Sequence, residues 1–504
     1  MTMEKKEKVV LQAVILFFSV AVMGRTADDL RTVSGVAKDA SGAPLPGLSV
    51  SIRNAARGTQ THTDGYYSLE VFDTDTLQFS YLGMVSQRIA VGNQKTINVV
   101  MEEYDEEKEI AKGIADGTIV EPAKRILLTS AQRKILEADN QFAFKLFDEV
   151  SKINGDNTFF SPFSLQIALG MLYNGVTGNT RSEMVKALGI AEFSETEINE
   201  YYQVIIRELL TVDPTTELNI ANSIWLRHTF QVKNTFTEIG KKYFDAEIQA
   251  IDFNNPLTAN RINQWCADKT KNRITQIVSN PIPDDMWMML INALYFKSKW
   301  EKGREFKKEK TILDDFTKEN QQKIKVNLME QTASLPYYED DYLQCVEITY
   351  GNKAFSLIAF LPAENRTINQ LIKHLTTIKW KMITDRLREE KVWLKLPRFK
   401  FECSFLLNQP VINTGMKRVF NVSKDFAPIT DDILNVSNIV QKTFVEVNEE
   451  GTEAAAVSAI RIVGYGVRKA DDPVRFFADR PFLFLIREKS TGVILFIGRV
   501  DEPR

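Results

Sequence analysis

The spacing of apolar residues along the chain is its strongest constraint on fold. From Asn140 onward they recur at helical intervals: Phe142, Phe144, Leu146 and Phe147 precede Val150. Further amphipathic helices are expected at 162–174, 180–188, 197–211 and 258–278. From about Met286 the spacing becomes that of strands, in MWMMLINALYF, LQCVEITY, FSLIAFLP, KVWLKLPRFKFE, TFVEVNEEG, FLFLIRE and VILFIGRV. Helices first and strands mostly later define an α+β domain with large antiparallel sheets. At 504 residues the chain is too long for one ordinary domain, so more must precede this one.

The N-terminus reads as three further parts. Residues 1–24 have the layout of a secretory signal peptide: EKKEK, an apolar run from Val9 to Met23, then Gly24. The run is shorter than the roughly 20 apolar residues a membrane-spanning helix needs. Residues 32–102 alternate in short segments (VSGVAKD, LSVSIRN, YYSLEV, TLQFSYL, QRIAV, TINVVM) with turn signals such as Pro46-Gly47 and Asp64-Gly65 between them, the pattern of a small all-β sandwich. Residues 103–136 begin charge-rich with little apolar period and are expected to be a linker, which assigns 137–504 to the main domain.

Composition and motifs exclude most chemistry. A net charge of -3 with interspersed signs gives no clustered basic surface for nucleic acid. Cys266, Cys345 and Cys403 lie far apart without metal-ligand spacing and are expected as buried small residues; no metal or other cofactor is expected. Of three histidines, His62 falls in the small β module, while His228 and His374 sit in polar stretches expected to be exposed. No nucleophile motif accompanies them, and the paired carboxylates Asp340-Asp341, Asp431-Asp432 and Asp471-Asp472 read as solvated. The chain is not expected to be an enzyme.

The informative segment is 445–486. A strand ending near Val447 runs into Glu449, Glu450 and Gly451, and the glycine permits a sharp turn. Small residues follow. If 452–465 were extended, one face would carry Thr452, Ala454, Ala456, Ser458, Ile460, Ile462 and Gly464. The other would carry Glu453, Ala455, Val457, Ala459, Arg461, Val463 and Tyr465. All the charge lies on the second face, so the segment can join a sheet with one side buried.

Six segments resemble the serpin family, in the family's order: NTFFSPFSLQIALGMLYNG (157–175), INQWCADKTKNRI (262–274), LINALYFKSKW (290–300), KLPRFKFE (395–402), FVEVNEEGTEAAA (444–456) and FADRPFLFLIREKSTGVILFIGRV (477–500). The resemblance implies a fold of three β-sheets with surrounding helices, and an exposed loop offered as bait to a protease. After attack and acyl-enzyme formation the loop enters the main sheet as an extra strand; serpin insertion is itself a known instance of strand addition and of released strain. In the small module, GVAKDASGAPLPGLSVSI, GTQTHTDGYYSLEV and TLQFSYLGM resemble the carboxypeptidase regulatory-like, transthyretin-like module that precedes glycan-uptake receptors in the outer membrane of Gram-negative bacteria. That resemblance implies a secreted protein, periplasmic or at the cell surface, with the module as a binding element or spacer.

Carried over residue by residue, the serpin resemblance makes Glu449, Glu450, Gly451, Thr452, Glu453, Ala454, Ala455 and Ala456 the hinge, with Thr452 first to enter the sheet. It makes Ser161, Ser164, Asn292 and Gln441 a polar cluster that controls sheet opening, with Gln441 where the family usually has histidine. Trp300, Arg398 and Glu449 mark where insertion begins, Arg398 and Glu449 as an ion pair. Counting seventeen residues from Glu449 places the cleaved bond at Tyr465–Gly466, which suits a chymotrypsin-like target; Arg468 or Lys469 would serve a trypsin-like one. A monomer acting on a target protease is expected. The alternative is a non-inhibitory member acting in binding or at a surface, against which the small hinge residues speak.

Overall fold

The computed structural model describes residues 30–53, 55, 57–81, 84–102, 121–153, 157–452 and 472–503. The chain divides into two compact units, Met1–Val120 and Glu121–Arg504. The signal call at 1–24 lies outside the described residues, as does 103–120 of the linker call. No helix among the described residues is long and apolar enough to cross a membrane.

The described residues of the first unit form seven short strands: β1 (Arg31–Asp39), β2 (Ser49–Ile52), β3 (Gly58–Gln60), β4 (Tyr66–Val71), β5 (Thr76–Ser80), β6 (Gln87–Ala90) and β7 (Val99–Met101). They form two sheets, β4-β1-β7 and β3-β2-β5-β6. Alternate residues turn inward, so Val33, Val50, Tyr67, Leu77, Phe79 and Met101 form one core. The buried Tyr67 hydroxyl donates to the carbonyl of Ile97 at 2.7 Å. This is the expected sandwich.

The second unit opens earlier than expected. Ile126 and Leu128 are buried in its core, Thr129 caps a helix spanning Ser130–Val150 through a reciprocal bond with Gln132, and Ile135 is fully buried. Residues 121–136 are therefore part of the body, because two apolar residues ahead of the cap and two inside the first turns pack inward. The helices Pro162–Tyr173, Gly178–Leu188, Glu195–Thr211 and Leu257–Lys269 fall on the expected stretches. The last stops short of 278, where Lys271 and Asn272 take positive φ and the Thr270 hydroxyl caps the Cys266 carbonyl at 2.8 Å.

The remaining strands are β8 (Thr158–Phe160), β9 (Glu217–Arg227), β10 (Glu247–Ile251), β11 (Met288–Lys299), β12 (Ile312–Thr317), β13 (Lys323–Glu339), β14 (Leu343–Thr349) and β15 (Phe355–Pro362). After them come β16 (Arg388–Pro397), β17 (Phe399–Leu406), β18 (Asn438–Asn448), β19 (Gly451–Thr452), β20 (Val474–Phe477), β21 (Phe482–Glu488) and β22 (Ile494–Val500). The main sheet runs β10-β9-β11-β19-β18-β17. The two smaller sheets are continuous, because β13 pairs with β12 and β16 along most of its length and with β14 at its end. Beneath the main sheet lies Pro162–Tyr173, buried at every residue, packed against β9, β11 and β22.

Candidate functional site

The site is a seam in the main sheet. At one end β11 and β18 pair directly and in parallel, from Met289 with Asn438 to Asn292 with Gln441. At the other end β19 lies between them. Thr452 is opposite Ser298 on β11 and Val447 on β18, while Gly451 is opposite Lys299 and Asn448. Across the intervening stretch, Ala293–Lys297 and Lys442–Glu446, no β11–β18 pair forms among the described residues. The small-residue segment thus enters the sheet at its first two residues.

Gly451 is required by this geometry. Its φ is 152°, and a Cβ there would meet the Ser298 carbonyl oxygen and the Lys299 Cα. Thr452 is 3% exposed, and its hydroxyl shares a 2.6 Å hydrogen bond with that of Tyr350. Tyr350 stacks on Trp300 with ring centroids 4.6 Å apart and planes 9° apart. The Trp300 indole donates to the Asn448 carbonyl at 3.0 Å, and its backbone N–H to that of Glu450 at 2.9 Å. Burial pushes the Tyr350 phenol well above its ordinary range, so the group stays protonated.

The two hinge carboxylates are held from outside the sheet. Glu449 is buried; it accepts from the Thr311 hydroxyl at 2.8 Å, while the half-exposed Arg398 stands 3.6 Å away. The expected ion pair is present, and the shorter contact belongs to Thr311. Glu450 pairs with Lys308 at 2.9 Å, and the Phe306 N–H donates to the Glu449 carbonyl. Segment 300–311 therefore wraps the turn that feeds the sheet.

The expected polar cluster sits at the closed end of the seam. Gln441 accepts from the Ser161 backbone N–H at 2.8 Å and donates to the Ser161 carbonyl at 2.9 Å. Ser161 caps the Pro162–Tyr173 helix by accepting from the Ser164 N–H, and donates to the Leu495 carbonyl. Asn292, register partner of Gln441, donates instead to Asn222 on β9 at 2.9 Å. An amide at 441, where the family usually has histidine, thus meets both the N–H and the carbonyl of Ser161.

Sequence reasoning missed Tyr350, Thr311, Lys308 and Asn222. Each reaches the site from a distant stretch with no motif of its own: Tyr350 is 102 residues from Thr452. Glu453, Ala454, Ala455 and Ala456, with Tyr465, Gly466, Arg468 and Lys469, lie outside the described residues. All three cysteines are buried. His374 is not exposed as expected: it stacks on Tyr342 with ring centroids 3.9 Å apart. Asp340 is likewise engaged by Lys379 at 2.5 Å.

Fold and site define an α+β protein whose main sheet already holds, between two of its strands, the first residues of a small-residue segment. The sequence profile described as Serpin (serine protease inhibitor) matches residues 137–503, and that of a CarboxypepD_reg-like domain matches 33–112. An uncharacterized serpin-like protein of Thermococcus kodakarensis is 33% identical over 382 residues, covering 75% of this chain and 88% of that one. Iripin-2 of Ixodes ricinus is 32% identical over 377 residues, 74% of this chain and 94% of its own. Among solved structures, the thermophilic serpin tengpin in its native state superposes with a TM-score of 0.69 at 30% identity, over 77% of this chain and 98% of that one. Thyroxine-binding globulin in complex with thyroxine gives 0.66 at 26% identity, over 73% and 99%. This chain belongs to the serpin family, whose members are generally protease inhibitors rather than enzymes.

Proposed function

We propose that the chain is a secreted inhibitor that traps a protease irreversibly by inserting its cleaved reactive loop into the main sheet. The observation that carries this reading is the placement of Thr452 between β11 and β18 in register with both. Continued in that register, residues 453–457 would lie opposite Lys297–Ala293 on one side and Glu446–Lys442 on the other. Further insertion would part the four pairs from Met289–Asn438 to Asn292–Gln441. The even-numbered side chains Thr452, Ala454, Ala456, Ser458 and Ile460 would then share a face with Val447, Val445, Thr443, Gln441 and Ile439, all buried. This is the small and apolar face of the segment, and its charges at Glu453 and Arg461 would fall on the other side.

The seventeen residues from Glu449 to Tyr465 span roughly 56 Å when extended, enough to carry a tethered protease across the domain. Dragging the protease by its own acylated serine distorts its oxyanion hole, and one lost donor alone slows such chemistry by roughly 10²–10³. Tyr465–Gly466 is the favoured cleaved bond, with a chymotrypsin-like target; cleavage at Arg468 or Lys469 by a trypsin-like enzyme is the second choice. Secretion to the periplasm or cell surface follows from the signal-like start, and the N-terminal module would serve as the surface-associated part.

The test is a gel. Incubation with chymotrypsin-like and trypsin-like proteases should give a complex that survives boiling in detergent, and mass spectrometry of the released C-terminal peptide should begin at Gly466. Simple loop cleavage without such a complex would sink the inhibitor reading in favour of a non-inhibitory binding role. Detection in an extracytoplasmic fraction checks the location.

A further inference from the structure

Away from the seam, the helix Ser130–Val150 buries a carboxylic acid. Asp139 is 2% exposed, and its two oxygens face two phenols: Tyr201 donates to Oδ2 at 2.9 Å and Tyr202 to Oδ1 at 3.2 Å. Both tyrosines are buried neighbours on the helix Glu195–Thr211, with rings tilted against each other at 5.0 Å. Gln166, from Pro162–Tyr173, gives its amide to the Asp139 backbone carbonyl and not to the carboxyl.

Several charged side chains on the surrounding helices pair with one another or with neighbouring segments. Arg181 pairs with Glu195, Glu183 with Arg418, Lys134 with Glu192, Lys381 with Glu137, and Arg207 with Glu208. Among the described residues no cation forms an ion pair with Asp139. Burial without a paired cation favours the neutral acid, and the two hydroxyls that donate to its oxygens oppose this only in part. Desolvation pushes the Asp139 carboxyl up to about 7, the two phenols pulling back part of the shift. The same burial, with Asp139 beside them, holds both phenols well above their usual range, so they remain donors.

We propose that Asp139 is a pH sensor built into the folded state: a neutral acid joining the first helix to Glu195–Thr211 in mild acid, and a buried charge that weakens that joint above neutrality. The unfolded carboxyl titrates near 3.8 and the folded one near 7. Between those values the folded state keeps a proton that the unfolded state has released. Folding stability contributed here is therefore fully present below about 4, falls as pH rises to about 7, and levels off above. The inference stands whether or not the chain inhibits a protease, since its readout is stability.

Apparent Tm of the full chain is measured by circular dichroism from pH 5 to 8.5 for the native sequence, Asp139→Asn and Tyr202→Phe. Asparagine keeps the shape and an acceptor but cannot ionise, so subtracting its curve removes every other titrating group. The native Tm relative to Asp139→Asn should fall by at least about 2 °C between pH 5 and pH 8. Tyr202→Phe, which removes a donor to the charged form, should move that fall to higher pH. A difference curve that is flat across the range overturns the proposal. If Asp139→Asn does not fold, the Tyr202→Phe comparison decides: a pH profile identical to the native one overturns it equally.

Discussion

The two ends of the β11–β18 seam share one register and differ in what lies between the strands. At the closed end Asn292 is opposite Gln441; at the open end Ser298 and Val447 face each other through Thr452. The numbering offset is 149 at both ends (441 less 292, 447 less 298), so the strands stay aligned and only their separation changes. The lesson is that an added strand needs no slip of β11 past β18, only their parting. At the closed end the strands are joined by their four direct pairs, and Gln441 is tied to Ser161 below; at the open end the Thr452–Tyr350 bond, with Tyr350 stacked on Trp300, holds the inserted residue in place.

The largest effect is expected from Thr452→Arg, which would force a charge into a position 3% exposed against Tyr350. On the proposed trapping mechanism, detergent-stable complex should drop at least about tenfold while the loop is still cut, as densitometry of the gel would read. Unchanged complex yield would mean that the open end does not need Thr452 in the sheet. Next, Gln441→Ala strands the Ser161 N–H and carbonyl in a buried place, at a cost of about 1–3 kcal/mol. Its apparent Tm should fall and its spontaneous loss of inhibitory activity on warming should quicken; a stable, long-lived variant would show that the closed end is held by something else.

Smaller effects separate the hinge contacts. Tyr350→Phe keeps the stack on Trp300 but loses the bond to Thr452, worth about 1 kcal/mol. A double-mutant cycle with Thr452→Val should show coupling of at least about 0.5 kcal/mol, read from denaturant unfolding. Smallest is Arg398→Ala: at 3.6 Å and half-exposed, that ion pair should contribute about 0–1 kcal/mol and less in high salt. Thr311→Val, breaking a 2.8 Å bond to a buried carboxylate, should cost more than Arg398→Ala; the reverse order would restore the ion pair as the principal hold on Glu449.

Much of this was legible in the sequence where periodicity or small residues carried it. The helix at 162–173 and the strand leading to Glu449 follow from spacing alone, the burial of Thr452 agrees with the face it was given, and Ser161 and Gln441, named from the family resemblance, do meet. What escaped was set by contacts with no local mark. β9, ELNIANSIWLR, is buried on both faces over most of its length, so its apolar run shows no strand alternation within a stretch dominated by helices. The linker boundary slipped because Ile126 and Leu128 are isolated apolar residues whose burial depends on the body they meet. Asp139 carries no mark of its own in the sequence, since only folding sets Tyr201 and Tyr202 against it.

Position 451 has a further consequence for heredity. The backbone there passes so close to Ser298 and Lys299 that there is no room even for a methyl group. Every missense change that one base can make in a glycine codon introduces a side chain. The pivot therefore has no tolerant neighbours in mutational space: each such variant must push β11 aside or withdraw Thr452 from the sheet. A saturation library of the chain should show every substitution at 451 depleted, while an exposed position such as Lys310 varies freely.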